Sequence, residues 1–434
     1  MARSSPSPEQ RSAVTERPQA LAAWSWCEAG ELLVRLPAAS SRELDIGPDP
    51  SPESPGTWGA EQQQRLQQAL ARDPASGEAL ALAHQLLCTP ASPALQASAD
   101  QLRAQLAGDT VTYVVNRNLN FTNLCLQHCG FCAFRRDPGE PGAFWHSFEL
   151  LQQRAAEARQ RGGTELCIQG GLNPEARLQG SALRYYAALL TALAEAAPGL
   201  HLHGFSPQEL LFIAQQDGLP LQTVITELQQ AGLGSVPGTA AEVLSERVRR
   251  RLCPEKLSAR AWCAVIREVH AAGLSSTATL MAGHLEQPAD RALHLLTLVA
   301  LQQRAWQHQQ NGFSEFVLLP YIGASAPAPL RQRVGRDQPD PVAMLALTAQ
   351  ARLLLGHWFI NHQPSWVKLG LAGATEALRW GCNDLGGTLM EESITSMAGA
   401  QGGTCQSVEA LEQAARSLGR PVRRRTTLYG EVAA

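Results

Sequence analysis

From residue 109 onward, short apolar runs alternate with longer amphipathic stretches. The first run is 110–123, TVTYVVNRNLNFTN. Further strand-like runs follow at 164–169, 201–205, 232–236, 275–281, 315–319, 366–369 and 383–385. Between them, the stretches 147–161, 182–196, 207–216, 239–250, 258–271, 289–309, 341–355 and 374–380 carry apolar residues at helical spacing. Strand–helix alternation of this period predicts a parallel sheet with crossover helices. Repeated about eight times, it closes most economically as an α/β (βα)8 barrel of the TIM type. An open barrel of six strands is the competing arrangement.

The first quarter of the chain has a different texture. Residues 1–20 are rich in Pro, Ser and Arg, a composition that predicts disorder. Residues 21–107 are rich in Ala, Gln and Leu, and predict helices over 61–71, 77–87 and 93–106. The expected division is an extension over 1–107, a core barrel over 108–365, and a segment 366–434. That last segment completes the barrel and ends in a helix and a tail.

Charge narrows the function classes. The net charge of −3 and a pI near 6.4 give no basic footprint for nucleic acid. The basic run 247–251 reads as a solvated helix end, and 423–425 as a polar tail. No apolar stretch approaches the ~20 residues of a membrane helix. The N-terminus lacks the apolar core of a secretory signal, and Glu9 and Glu16 argue against a transit peptide. Together these predict a cytoplasmic protein.

The chemistry concentrates in NFTNLCLQHCGFCAF, where Cys125, Cys129 and Cys132 form C-x3-C-x2-C. Three thiolates at this spacing suit three corners of a four-iron cluster, whose full ligation takes four cysteines. The fourth iron would stay open to a small molecule. A zinc site is the alternative, since His128 makes a Cys3His set. His128 and Cys129 are adjacent, however, and adjacent side chains rarely converge on one tetrahedral ion. The remaining seven cysteines are scattered singly and read as small buried hydrophobes. Reduced thiols fit a reducing compartment. The bland overall reading is a zinc-stabilised interaction protein.

The cysteine spacing resembles that of the radical S-adenosylmethionine (SAM) enzymes, including the aromatic Phe131 before the last cysteine. That resemblance implies a [4Fe-4S] cluster on Cys125, Cys129 and Cys132, with SAM on the open iron and Phe131 beside them. It also implies that the glycine pair after the second strand, Gly170 and Gly171, binds SAM through its backbone. Thr277 and Thr279 alternate with apolar neighbours on one strand, so they either meet SAM or pack. His201 and His203 share one strand face. A structural role is favoured for His201, and the two readings are even for His203. Ser206, Glu242, His284 and Glu286 stand at strand ends, where each either binds a polar substrate or caps a helix.

Longer stretches narrow the resemblance. GDTVTYVVNRNLNFTNLC, CIQGGLNP, HGFSP, GLGSVPGTAAEVL, CPEKLS, TATLMAGHLE and NDLGGTLMEESI are similar to the CofH family. Members of that family are the tyrosine-using subunits of FO synthase, which builds a deazaflavin. The similarity spans 108 to 429. The menaquinone enzymes of the futalosine pathway share several motifs, but typically read PGGGAE where this chain reads PGTAAE at 237–242. The loop 320–330 departs from the family pattern. The resemblance implies L-tyrosine and 5-amino-6-(D-ribitylamino)uracil as substrates. The 5′-deoxyadenosyl radical would take hydrogen from tyrosine, the Cα–Cβ bond would break, and the 4-hydroxybenzyl radical would join the uracil. It also implies a second, CofG-like subunit and a low-potential electron donor.

Overall fold

The computed structural model describes residues 58–432 and, ahead of them, only the antiparallel pairing of Trp26–Cys27 with Leu33–Val34. The disorder predicted for residues 1–20 lies outside the described residues. Three helices precede the barrel: α1 (Ala60–Arg72), α2 (Gly77–Leu87) and α3 (Pro93–Ala107). Their amide side chains tie them down, as when Gln63 and Gln67 both donate to the Leu353 carbonyl, at 2.8 and 2.9 Å.

The barrel strands are β1 (Val111–Val114), β2 (Asn116–Asn120), β3 (Glu165–Gln169), β4 (His201–Gly204), β5 (Leu233–Val236), β6 (Ser275–Ala282), β7 (Phe313–Pro320), β8 (His362–Pro364) and β9 (Asp384–Gly387). Strands β2 to β8 form one parallel sheet in sequence order. Only Val115 separates β1 from β2, and β1 pairs in parallel with β9. The ring closes between β8 and β9, where the Asn383 N–H donates to the His362 carbonyl at 3.1 Å. Counting β1–β2 as one staggered strand, the sheet is an eight-membered barrel, as the alternation predicts. A short strand, β10 (Val422–Arg424), pairs outside β1.

Helices cover the barrel: α4 (Phe148–Gln160), α5 (Ala182–Ala196), α6 (Pro207–Asp217), α7 (Leu221–Gln230), α8 (Glu246–Leu252), α9 (Ala259–Ala271), α10 (Pro288–Gln307), α11 (Ala328–Val334), α12 (Pro341–Leu355), α13 (Trp366–Ala377), α14 (Ile394–Met397) and α15 (Val408–Arg416). Serines start many of them. Ser147, Ser181, Ser206 and Ser258 each accept a bond from the third backbone N–H of the helix they open, which satisfies an otherwise orphaned donor. Helices α2 and α3 pack on α10 and α12, so the N-terminal layer continues the core.

Several expectations are corrected. The run 366–369 is the first turn of α13, not a strand; its apolar residues cover the barrel, and the strand is the inconspicuous His362–Pro364. The stretch 239–250 is mostly loop. Ala240 and Glu242 have φ of 66° and 47°, and helix begins only at Glu246. Arg249 explains the loop. Its guanidinium binds the Ala240 and Ala241 carbonyls, which a helix over this stretch would have used internally, and the Leu257 carbonyl beyond it. Thus the run 247–251 is not simply a solvated helix end, because Arg249 is buried at 3 % exposure. Nor is 423–425 a polar tail, because Arg425 enters the barrel at 2 % exposure.

Buried histidines set a pH dependence. Burial pushes the pKa of His270 and of His294 down to about 3, and that of His203 to about 4; His362 also lies well below 6.5. As pH falls below 6.5, the unfolded chain takes up protons at these four sites that the folded chain refuses. Their stability is therefore present above pH 6.5 and lost as pH falls toward the folded values. Burial raises Glu209 and Glu315 to about 7, which acts in the opposite sense. Among these six groups the four histidines outweigh the two carboxyls, so stability falls as pH drops from about 6 to about 4.5. The thermal midpoint is expected to fall steeply over that range. A midpoint constant from pH 7 to 5 would contradict this.

Candidate active site

A cavity of about 420 Å³ occupies the barrel interior. It reaches from the cysteine loop, after the C-terminal end of β2, down to Glu165, the first residue of β3. In barrels of this type the βα loops at the C-terminal face carry the chemistry.

The cysteine loop is held by its own sequence. Thr122 donates to the Phe144 carbonyl at 2.9 Å, and the side chain of buried Asn123 both donates to the Gly142 carbonyl (2.9 Å) and accepts from the Phe144 N–H (2.8 Å). The Cys125 N–H reaches the Arg136 carbonyl at 3.2 Å, and the Gly130 N–H reaches the Leu252 carbonyl at 3.3 Å. Cys125, Cys129 and Cys132 are free thiols, and all three line the cavity. Burial pushes the Cys125 thiol up, and the Cys129 thiol up to about 12. Among the described residues no three His, Cys, Asp or Glu side chains converge as a single-ion site. A four-iron cluster binds each thiolate at a separate iron, so three free thiols lining one cavity suit its donor set. His128 stands apart, half exposed, between Asp137 (3.5 Å) and Glu255 (3.4 Å).

Against the cysteine loop, Gly170 and Gly171 line the same space. A Cβ on Gly170 would lie 2.5 Å from the Phe121 ring, and one on Gly171 only 2.2 Å from the Leu124 carbonyl oxygen and 3.0 Å from the Cys125 Cβ. Close backbone approach therefore requires glycine at both positions. Gly171→Ala is expected to displace the cysteine loop and lower activity at least about 10-fold, with a matching loss of bound iron. Wild-type iron content and rate in that variant would contradict the cradle.

Of the other candidates, Phe131, Thr277, Thr279, His203, Ser206 and Glu242 line the cavity, whereas His201, His284 and Glu286 do not. The two threonines are engaged with backbone. Thr277 accepts from the Gly238 N–H (2.8 Å) and Thr279 donates to the Gly238 carbonyl (2.9 Å). Ser206 caps α6 and bonds Glu209 at 2.6 Å. His201 and His203 both reach Ser235 Oγ at 2.7 Å. Glu286 is used structurally: it accepts from the Gly283 and His284 N–H groups and pairs with Arg291 at 2.8 Å.

The structure adds residues the sequence reading did not single out. Glu209 accepts the Gly170 N–H at 3.0 Å and so fixes the glycine wall. Ser206 and Glu209 form a capping box, a pattern visible in the sequence. Lys256 pairs with Glu242 at 2.6 Å and lies 5.3 Å from the centroid of the Phe131 ring. Burial opposes its charge, but Glu242 and the neighbouring thiols hold its pKa above the ordinary lysine value. At the floor, Arg425 Nε bonds Asp384 at 2.5 Å, Nη2 reaches Glu315 at 3.3 Å, and the guanidinium lies 3.9 Å from the Tyr429 ring centroid. Asn116 donates to Glu165 at 2.7 Å beside them.

Residues 119–299 match the Radical SAM superfamily, and residues 311–433 match the CofH/MqnC C-terminal region. A 5-amino-6-(D-ribitylamino)uracil–L-tyrosine 4-hydroxyphenyl transferase of Cyanothece sp. is 60% identical over 337 residues, covering 77% of this chain and 88% of that protein. Proteins of the same name from Synechococcus elongatus and Nostoc sp. are 57% and 55% identical, each covering 78% of this chain, with 88% and 87% of their own lengths. Among solved structures, the FeFe-hydrogenase maturase HydG from Carboxydothermus hydrogenoformans is similar at TM-score 0.61 and 14% identity, covering 85% of this chain and 81% of that one. Methylornithine synthase (PylB) is similar at TM-score 0.58 and 14% identity, covering 83% of this chain and 94% of that one. These two share the fold.

Proposed function

The chain belongs to the radical SAM superfamily and, within it, to the 5-amino-6-(D-ribitylamino)uracil–L-tyrosine 4-hydroxyphenyl transferase family, and on that footing we propose that it moves the 4-hydroxybenzyl part of L-tyrosine onto the uracil. The observation that carries this reading is three free cysteines and a glycine pair packed against their loop, all lining one barrel cavity.

Cys125, Cys129 and Cys132 would hold a [4Fe-4S] cluster, with the Gly170–Gly171 backbone facing SAM. When bound, the cluster supplies the electron that cleaves SAM and yields the hydrogen-abstracting 5′-deoxyadenosyl radical. The chain's own residues then have three tasks. Phe131 and buried Phe134 crowd the cysteine loop and keep water from it. The Glu242–Lys256 pair fixes the loop after β5 against that wall. The polar floor, with Glu165 and His203, offers hydrogen-bond partners to a hydroxylated substrate. His203 stays neutral above about pH 4, so it can both donate and accept. This reading calls for a low-potential electron donor, a CofG-like subunit that closes the deazaflavin ring, and the reducing cytoplasm as its setting. No helix among the described residues is long and apolar enough to cross a membrane.

The test is 5′-deoxyadenosine release from iron–sulfur-loaded protein without oxygen, with SAM and a strong reductant. L-tyrosine is expected to stimulate release, and phenylalanine is not. Release indifferent to L-tyrosine would reject this substrate.

A further inference from the structure

The chain of 434 residues contains two lysines, Lys256 and Lys368; its other 34 basic residues are arginines. Both lysines line the same cavity. Chance would scatter two such residues over the surface, where lysine is ordinarily found. Lysine differs from arginine in being a compact point charge on a flexible stem. A position that keeps lysine in so arginine-rich a chain therefore suits a small anion in a confined space.

The two lysines differ in their company. Lys256 has Glu242 at 2.6 Å. The other cavity-lining cations are also paired: Arg135 with Asp137 at 2.5 Å, and Arg425 with Asp384. Lys368 has no carboxylate within ion-pair distance and no side-chain hydrogen bond among the described residues. It lies in the first turn of α13, just after β8, on the C-terminal side of the barrel where the cysteine loop also stands. Burial lowers its pKa to about 8, and the more distant Glu392 and Glu242 only partly offset this. Lys368 is part-buried on the cavity wall, and a partly desolvated ammonium without a partner is stabilised when an anion meets it.

We propose that Lys368 binds the carboxylate of the amino-acid substrate, which on the reading above is L-tyrosine. The cavity then holds the amino acid by its carboxylate at α13 and the hydroxylated uracil at the floor. Among the arginine and lysine side chains on the wall, Lys368 is the one whose partner is missing, and a free amino acid brings the required group. A charge-assisted hydrogen bond of this kind accounts for roughly 10- to 100-fold in affinity.

The test compares wild type with Lys368→Met and Lys368→Arg, all loaded with iron–sulfur cluster. Equilibrium dialysis measures binding of L-tyrosine, of tyramine, which lacks the carboxylate, and of 3-(4-hydroxyphenyl)propionate, which lacks the amine. Wild type is expected to bind L-tyrosine and the propionate better than tyramine. Lys368→Met should weaken the two carboxylates about 30-fold or more, leave tyramine unchanged, and raise the KM for L-tyrosine in step. Lys368→Arg should recover part of the loss. Background 5′-deoxyadenosine formation without tyrosine should stay at the wild-type rate, because SAM is bound elsewhere. If Lys368→Met leaves tyrosine binding and KM intact, the proposal is overturned. It is also overturned if the variant, with an unchanged melting midpoint, loses background SAM cleavage, since Lys368 would then serve SAM. If wild type itself neither binds nor responds to L-tyrosine, the substrate reading fails first and takes this assignment with it.

Discussion

Replacing Cys129 with alanine is expected to abolish SAM cleavage while leaving the barrel folded. Cys129 lies on the cavity wall near Lys256, and its neighbours are fixed without its side chain: the His128 N–H donates to the Glu255 carboxylate at 2.7 Å and the Gly130 N–H to the Leu252 carbonyl at 3.3 Å. Its loss removes one of three thiols and spares the loop's anchors at Thr122, Asn123 and Gly130. Changes merely behind a metal ligand cost about 10- to 100-fold, so loss of a ligand itself should exceed that. Bound iron and the visible absorption of the cluster should fall together with 5′-deoxyadenosine release. Alanine at Cys125 or Cys132 should behave alike. In contrast, alanine at Cys253, also buried but absent from the cavity lining, should retain the cluster. Full activity in the Cys129 variant would refute the assignment of that thiol.

The second large effect concerns the floor. Arg425→Met is expected to destabilise the folded chain by about 3–5 kcal/mol, the usual result of removing one member of a buried ion pair. Arg425 neutralises Asp384, which is fully buried and also accepts from Thr112 at 2.5 Å. It stands beside Glu315 as well, whose carboxyl burial raises to about 7. Without the guanidinium two acidic groups face each other with no cation between them. A fall of about 3–5 °C in the melting midpoint should follow. Adding Asp384→Asn should return part of the loss, because the stranded charge is gone and the two effects are coupled. A midpoint equal to wild type would mean that the pair does not brace the barrel floor.

These two regions differ in how plainly the sequence announces them. The cysteine loop is local. Its three thiols, the aromatic residue before the last of them and the glycine pair at 170–171 can all be read along the chain, because the motif follows a strand and strand ends form one face. The barrel is legible for the same reason: the strand–helix period is a local pattern repeated. The floor is not. Arg425 meets Asp384 and Glu315 across 41 and 110 residues, and no spacing rule connects them. As letters, 423–425 looks like any solvated basic run. Local rules also mislead where tertiary bonds win. The stretch 239–250 has helical composition, but Arg249 captures the loop carbonyls and helix starts late. The run 366–369 is apolar enough for a strand, but those residues cover the barrel as a helix. Lys368 had a signal of another kind, its rarity, since only one other lysine occurs in the chain.

The most direct measurement follows the tyrosine ring. Iron–sulfur-loaded protein, without oxygen, is given SAM, a strong reductant, ring-labelled L-tyrosine and 5-amino-6-(D-ribitylamino)uracil, and the products are weighed by mass spectrometry. The expected result is 5′-deoxyadenosine together with a uracil adduct that carries the labelled 4-hydroxybenzyl group. 5′-Deoxyadenosine with no label on the uracil, from protein with a full complement of cluster, would contradict the proposed transfer.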